Sequence, residues 1–237
     1  MKSSLSLKEW FLNLLFPRSC LGCQREGSYL CQDCLATLEI SEYQYCLCKK
    51  PKRLALAGKC RSCYQKKLNG LYFATSYQNK FLQKLIHHFK YDPYVKELSG
   101  SLASLIIAHF QLSSKIPQFG QDWILIPVPL SRKKERRRGF NQAKEIAQEL
   151  SSRLNLPLID GVLLKFKETP AQVDLEEKAR MENPRGAFLV KNSEKIKNKK
   201  ILLVDDVYTT GATIEECARV LKEAGAKDVW GVAVARG

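Results

Sequence analysis

The sequence predicts a parallel α/β sheet flanked by helices, preceded by a small cysteine-rich unit. Three observations predict it. Short continuous apolar runs, Trp123 to Val128, Ile201 to Val204 and Val229 to Val234, have the length and composition of strands buried on both faces. Segments with helical spacing of apolar residues alternate with them, as a parallel sheet requires. Eight of the nine cysteines precede residue 64, in closely spaced pairs.

With 237 residues the chain accommodates one large domain, or an ordinary domain plus a small one. A hydrophobic content of 45% supports a core and excludes global disorder. The formal net charge of +15 leaves two readings open, solvated basic faces or a polyanionic partner or substrate. Leu7, Trp10, Phe11, Leu14 and Leu15 have helical spacing ahead of Pro17. An amphipathic helix is therefore expected over residues 1–16, docked on the same protein or, as the lesser reading, on a partner or membrane surface. Lys8 and Glu9 interrupt the apolar run and no small-residue cleavage site follows, which argues against a signal peptide. No stretch reaches the roughly 18 apolar residues of a membrane span. A cytoplasmic location is expected.

The cysteines read Cys20-x2-Cys23, Cys31-x2-Cys34, Cys46-x-Cys48 and Cys60-x2-Cys63. Thiolates two residues apart on a tight turn bind one tetrahedral metal without strain, and two such turns complete a site. Sequential pairing gives one site from Cys20, Cys23, Cys31 and Cys34, and a second from Cys46, Cys48, Cys60 and Cys63. Four thiolates with no open position imply structural zinc. The competing disulfide framework suits neither the short spacing nor the missing secretory signal. Composition turns from cysteine-rich to globular near residue 68, which divides a zinc-ribbon domain, 17–68, from an α/β domain, 69–237. Lys49, Lys50, Lys52 and Arg53 lie within the second cysteine loop, as a solvated loop or a face for nucleic acid.

Helices are expected around Phe81–Phe89 and Leu98–His109. His87 and His88 are adjacent, so they point apart and read as surface or cap residues. Beyond the strand at 123–128, Pro127 and Pro129 fix the chain's exit into a loop bearing Arg132, Lys133, Lys134, Arg136, Arg137 and Arg138. A basic loop at a strand's C-terminal end favours anion binding over a localisation-like run. Ala143, Ile146, Ala147 and Leu150 continue as an amphipathic helix. Residues 165–186 are charged, contain Pro170 and Pro184, and suit an active-site lid. Cys217 reads as an ordinary buried thiol.

The most informative stretch is Ile201 to Thr213, ILLVDDVYTTGAT. A buried strand delivers Asp205 and Asp206 to its C-terminal end, where open α/β sheets bind ligands. A turn then opens a helix whose N-terminal amides favour anions. Hydroxyl acceptors beside a phosphate cradle suit a phosphorylated sugar. Walker B strands look similar, but the chain contains no GxxxxGK[ST] loop.

This stretch resembles the thirteen-residue signature of the type I phosphoribosyltransferases. The chain is similar over nearly its whole length to the ComF family, in the N-terminal helix, the cysteine ribbons, PVPLSRKKERRRGFNQ, TPAQV, Arg180/Asn183/Arg185 with Gly186-Ala187-Phe188, and the signature. Cys46-x-Cys48 departs from the usual CxxC. The resemblance implies that Asp205 and Asp206 hold the ribose hydroxyls of phosphoribosyl pyrophosphate and serve as the catalytic pair. It places the 5′-phosphate on the amides and hydroxyls of Thr209, Thr210, Gly211, Ala212 and Thr213, counts Val207 among the residues that bind the ligand, and places the pyrophosphate on Arg132 and Lys133 with Mg²⁺. Lys178, Arg180 and Arg185 are lid candidates, and Arg136, Arg137 and Arg138 nucleic-acid candidates. It further implies DNA uptake in natural transformation, with incoming single-stranded DNA and a ComFA-like helicase as partners. Tyr43, Tyr45, Tyr64, Tyr72 and Phe73 are available for base stacking or for the core. Two functions of different class remain: an uptake factor that binds the phosphoribosyl ligand, and a phosphoribosyltransferase with an acceptor that the sequence does not identify.

Overall fold

The computed structural model describes residues 17–56, 58–113, 119–167 and 184–237. The helix expected over 1–16, and Lys178, Arg180 and Asn183 of the lid segment, lie outside the described residues. Four strands form one parallel sheet, β3 (Gly70–Ser76), β4 (Trp123–Pro127), β7 (Lys200–Tyr208) and β8 (Asp228–Arg236), in the order β3-β8-β7-β4. Successive side chains of a strand point to opposite faces. Accordingly Leu202 and Val204 enter one core cluster while Ile201 and Leu203 enter the other. This double burial explains the unbroken apolar run.

Helices α2 (Lys80–Lys90), α3 (Leu98–Leu112) and α5 (Gln142–Leu154) supply the first cluster, through Phe89, Leu102, Ile106 and Ile146 among others. The second is built from α6 (Ala212–Glu223) and an antiparallel pair, β5 (Leu163–Lys165) and β6 (Phe188–Val190). The cysteine-rich segment divides between the faces. Its first half, which includes the short helix α1 (Gln32–Ala36), adds Leu30 and Leu38 to the α2–α3–α5 cluster. Its second half, with the hairpin β1 (Gln44–Tyr45) and β2 (Arg53–Leu54), adds Cys46, Leu47, Cys63 and Leu68 to the other.

Three elements differ from expectation. Strand β7 continues through Tyr208, because β8 pairs along its whole length, Tyr208 opposite Arg236. The basic stretch is a helix, α4 (Arg132–Arg138), not a loop. Ser131 caps it through a 3.5 Å bond from the Lys134 amide, and Gly139 closes it in the left-handed region. Seven polar residues without an apolar stripe hid it, although both caps were in the sequence. Strand β3 was not anticipated, and it buries Tyr72 and Phe73 in the core.

Candidate functional site

The site forms where the two neighbours of β7 end at different heights. Strand β4 stops at Pro127, paired with Val204, whereas β8 pairs on as far as Tyr208. Among the described strands Asp205 to Tyr208 therefore have a neighbour on one side only, and a notch opens on the other. Asp206 is buried and Asp205 half-buried there. The Asp206 amide donates to Asp205 Oδ1 at 2.9 Å, and the Val207 amide to Asp206 Oδ1 at 2.7 Å.

The sequence reading missed Lys90. It ends α2 and places its Nζ 2.9 Å from Asp206 Oδ2, with 21% of its side-chain surface exposed. Burial alone would lower the Lys90 ammonium, but the Asp206 carboxylate outweighs it and keeps the lysine charged. Asp205 is pushed up to about 7, by burial first and then by the charge of Asp206, against the pull of Lys90. Once Asp205 ionises, the two carboxylates outnumber the Lys90 cation that faces them. That imbalance fits an added divalent cation.

Beyond Tyr208 comes the turn Thr209–Thr213, of which Thr209, Gly211, Ala212 and Thr213 line a small open depression together with Ile214, Asp205, Val207 and Tyr208. Gly211 has φ +76° and packs on the Tyr208 ring, so any Cβ would collide with that ring. It opens α6 without a capping side chain, and the Ala212 amide donates to Thr210 Oγ1 at 3.3 Å. The first-turn amides of α6 thus lie in the wall of the depression, where an anion is favoured. A larger cavity of about 450 Å³ lies elsewhere, beside Tyr43, Gln44, Arg53 and Ser113. It has neither the acidic pair nor the turn, so the shallow depression is the better phosphate site.

The sequence-predicted cations separate. Arg132, Lys133, Arg136 and Arg137 are exposed on α4. Arg138 turns inward instead: its Nη1 donates to Gln142 Oε1 at 2.6 Å, and its guanidinium lies 5.4 Å from the Tyr91 ring centroid. Arg185 is exposed at the start of the described chain after the lid segment, and Glu216 on α6 accepts from the next amide, Gly186, at 2.8 Å. Among the aromatic candidates, Tyr64 is 74% exposed and Tyr43 is 39% exposed beneath the Arg53 guanidinium, whereas Tyr72 and Phe73 are buried. Tyr45 is half-buried with its ring 5.6 Å from that of Phe73.

Both cysteine quartets assemble in sequential pairing, Cys20/Cys23/Cys31/Cys34 and Cys46/Cys48/Cys60/Cys63, with every sulfur of a quartet within 4.8 Å of the others. Sulfur separations of 3.6–3.7 Å in the first and 3.4–3.7 Å in the second are far beyond a disulfide bond. They approach the edge of about 3.8 Å that a tetrahedron with roughly 2.3 Å metal–sulfur bonds requires. Amides of Cys31 and Lys52 donate to Cys20 Sγ and Cys46 Sγ at 3.4 and 3.1 Å, as thiolates need. Without a cation the sulfurs resist joint ionisation. Cys48 is pushed up to about 12, first through its hydrogen bond to Cys60, and Cys34 to about 12, first through burial. The donor sets fit a tetrahedral metal, and the one-residue spacing of Cys46 and Cys48 does not prevent it.

A family model described as a phosphoribosyl transferase domain matches residues 136–236. The chain is 33% identical over 155 residues to "Competence protein F" of Haemophilus influenzae, spanning 64% of this chain and 67% of that one. It is 30% identical over 215 residues to "Competence protein ComFC" of Streptococcus pneumoniae, 89% of each chain. Identity to "DNA utilization protein YhgH" of Escherichia coli K12 is 28% over 148 residues, 62% of this chain and 64% of that one. Among the described residues no helix is long and apolar enough to cross a membrane.

Proposed function

Because the chain belongs to the ComF family, with a phosphoribosyltransferase-type domain behind paired four-cysteine clusters, we propose that it serves DNA uptake in the cytoplasm and binds phosphoribosyl pyrophosphate with Mg²⁺. One observation carries this reading: the acidic pair and the Gly211 turn adjoin at the one-sided end of β7. Asp205 and Asp206 accept the ribose hydroxyls, and the amides of the turn take the 5′-phosphate. Arg132 and Lys133, exposed on α4 beyond the neighbouring strand end, meet the pyrophosphate. Bound Mg²⁺ would neutralise charge between the acidic pair and the ligand's oxygens. The cysteine clusters each hold one structural zinc ion.

Calorimetric titration of the purified chain tests this reading. Binding should require Mg²⁺ and weaken at least about a hundredfold in Asp205→Asn/Asp206→Asn, since several charge-assisted hydrogen bonds at about 1.5–3 kcal/mol each are lost. Equal affinity in the double variant would remove the site assignment.

The second reading is transfer of the phosphoribosyl group to an acceptor. It is favoured by carboxylates placed where an oxocarbenium-like ribose would need negative charge. Consumption of the pyrophosphate in the presence of candidate acceptors separates transfer from binding.

Single-stranded DNA and a ComFA-like helicase are the macromolecular partners in this proposal. Arg136 and Arg137 are the exposed phosphate-binding cations on α4, and Tyr64 and Tyr43 the stacking surfaces. Arg138 is withdrawn from that role by Gln142. DNA affinity should fall as salt rises, and Arg136→Ala/Arg137→Ala should flatten the log–log slope by about 0.7 for each phosphate no longer neutralised. An unchanged slope would acquit both arginines.

A further inference from the structure

The phosphate turn is flanked on one side by contacts to the second cysteine cluster and on the other by contacts to the segment that follows it. On its N-terminal side stands Tyr208, paired across the sheet with Arg236. The Arg236 guanidinium, on a residue only 7% exposed, lies 5.3 Å from the Tyr208 ring centroid and 5.6 Å from that of Phe73. Its Nη1 donates to the Cys46 carbonyl at 2.8 Å and its Nη2 to the Cys48 carbonyl at 2.5 Å. Lys66 Nζ adds bonds to the Leu47 carbonyl at 2.8 Å and to Tyr208 Oη at 3.5 Å. On the C-terminal side, the Glu215 carboxylate in the first turn of α6 accepts from the Lys67 and Leu68 amides. Gly211, at the centre of the turn, rests on the same Tyr208 ring. Nothing comparable among the described residues joins the first cluster to this turn, because its residues pack on the other face of the sheet.

We propose that the second four-cysteine centre is a strut for the phosphate turn, with Arg236 the positioning residue that transmits its shape. A metal that closes Cys46, Cys48, Cys60 and Cys63 fixes the carbonyls of Cys46 and Cys48. Those carbonyls fix Arg236, Arg236 and Lys66 fix Tyr208, and Tyr208 sets the height of Gly211. Arg236 touches no phosphate; it acts through the tyrosine. The inference rests on the phosphoribosyl reading for its ligand but not for its geometry.

Hydrogen exchange of the full-length, metal-loaded protein reads the strut without any ligand. In Arg236→Met and in Lys66→Met, a peptide covering Tyr208–Thr213 should exchange about tenfold faster, the scale of one charge-assisted hydrogen bond. Arg236→Lys should recover part of the protection. The matched control is Lys84→Met, which unties the first ribbon by removing the 2.7 Å bond from Lys84 Nζ to the Leu21 carbonyl; it should leave that peptide unchanged. Titration with ribose 5-phosphate should show the same order, weaker in Arg236→Met and Lys66→Met and unaltered in Lys84→Met. Should Arg236→Met fail to fold, Lys66→Met carries the test from the ribbon side. Unchanged exchange in the folded variants overturns the strut, as does faster exchange with unaltered affinity. Faster exchange in a protein whose unmutated form binds no ribose 5-phosphate supports the strut and sinks the ligand reading instead.

Discussion

Lys90→Met is expected to shift the pH dependence of ligand binding upward and to destabilise the protein by about 3 kcal/mol. That is the low end for breaking a buried ion pair, because Lys90 keeps 21% of its side-chain surface in solvent. The sign follows from Asp205, whose pKa of about 7 is raised from the ordinary carboxyl range by burial and Asp206 and held down by Lys90. A carboxyl raised on folding favours the folded state fully below its unfolded pKa. That contribution is lost as pH rises through about 7. Ribose hydroxyls bond more strongly to the ionised form, so binding by the unmutated protein should strengthen as pH rises through the same window. Without Lys90 both transitions move to higher pH, and the binding deficit is largest near neutrality and closes in alkali. Melting temperatures and titrations across pH 6–9 measure both, and Lys90→Arg should restore them. A pH profile identical to that of the unmutated protein would show that Lys90 does not control the pair.

Removing metal should have the other large effect. Two zinc ions per chain are expected by mass spectrometry, and chelation should open both quartets. Structural zinc contributes roughly 10–16 kcal/mol of apparent binding free energy at pH 7, more than ribbon segments this short recover from their own apolar packing. Leu30 and Leu38 on one face, and Leu47 and Leu68 on the other, would lose their covering. Thiol titration should find the cluster cysteines protected before chelation and reactive after it, with Cys217 buried throughout. Reactive cluster thiols in an untreated, folded protein would refute the metal reading.

Legibility in the sequence followed the range of the interaction. The acidic pair, the glycine turn and the cysteine quartets are short motifs whose chemistry is contained in a few neighbouring residues. Quartet pairing could be read because each site closes within a short loop. Lys90 could not, since its role exists only where the end of α2 meets the end of β7. Arg138 looked the same as Arg136 and Arg137 in sequence, and only Gln142 and Tyr91, brought to it by the fold, set it apart. Strand β3 escaped because its apolar run is confined to Leu71–Ala74, between Gly70 and Thr75 just past the cysteine-rich segment, and its burial depends on β8 and the two helix layers.

The order of the sheet also constrains how the chain is made. Strand β3 pairs only with β8 among the described strands, and β8 is separated from it in sequence by β4, β7 and every helix from α2 to α6. During synthesis β3 emerges early and has no partner until the chain has threaded nearly all of the remaining fold. Such long-range parallel pairing is slow and leaves apolar strand edges open to aggregation. The cysteine quartets, which close over short loops, can load metal while that wait lasts. A newborn chain would then carry formed ribbons beside an unfinished sheet, and zinc starvation would be felt first as misassembly and only later as lost binding.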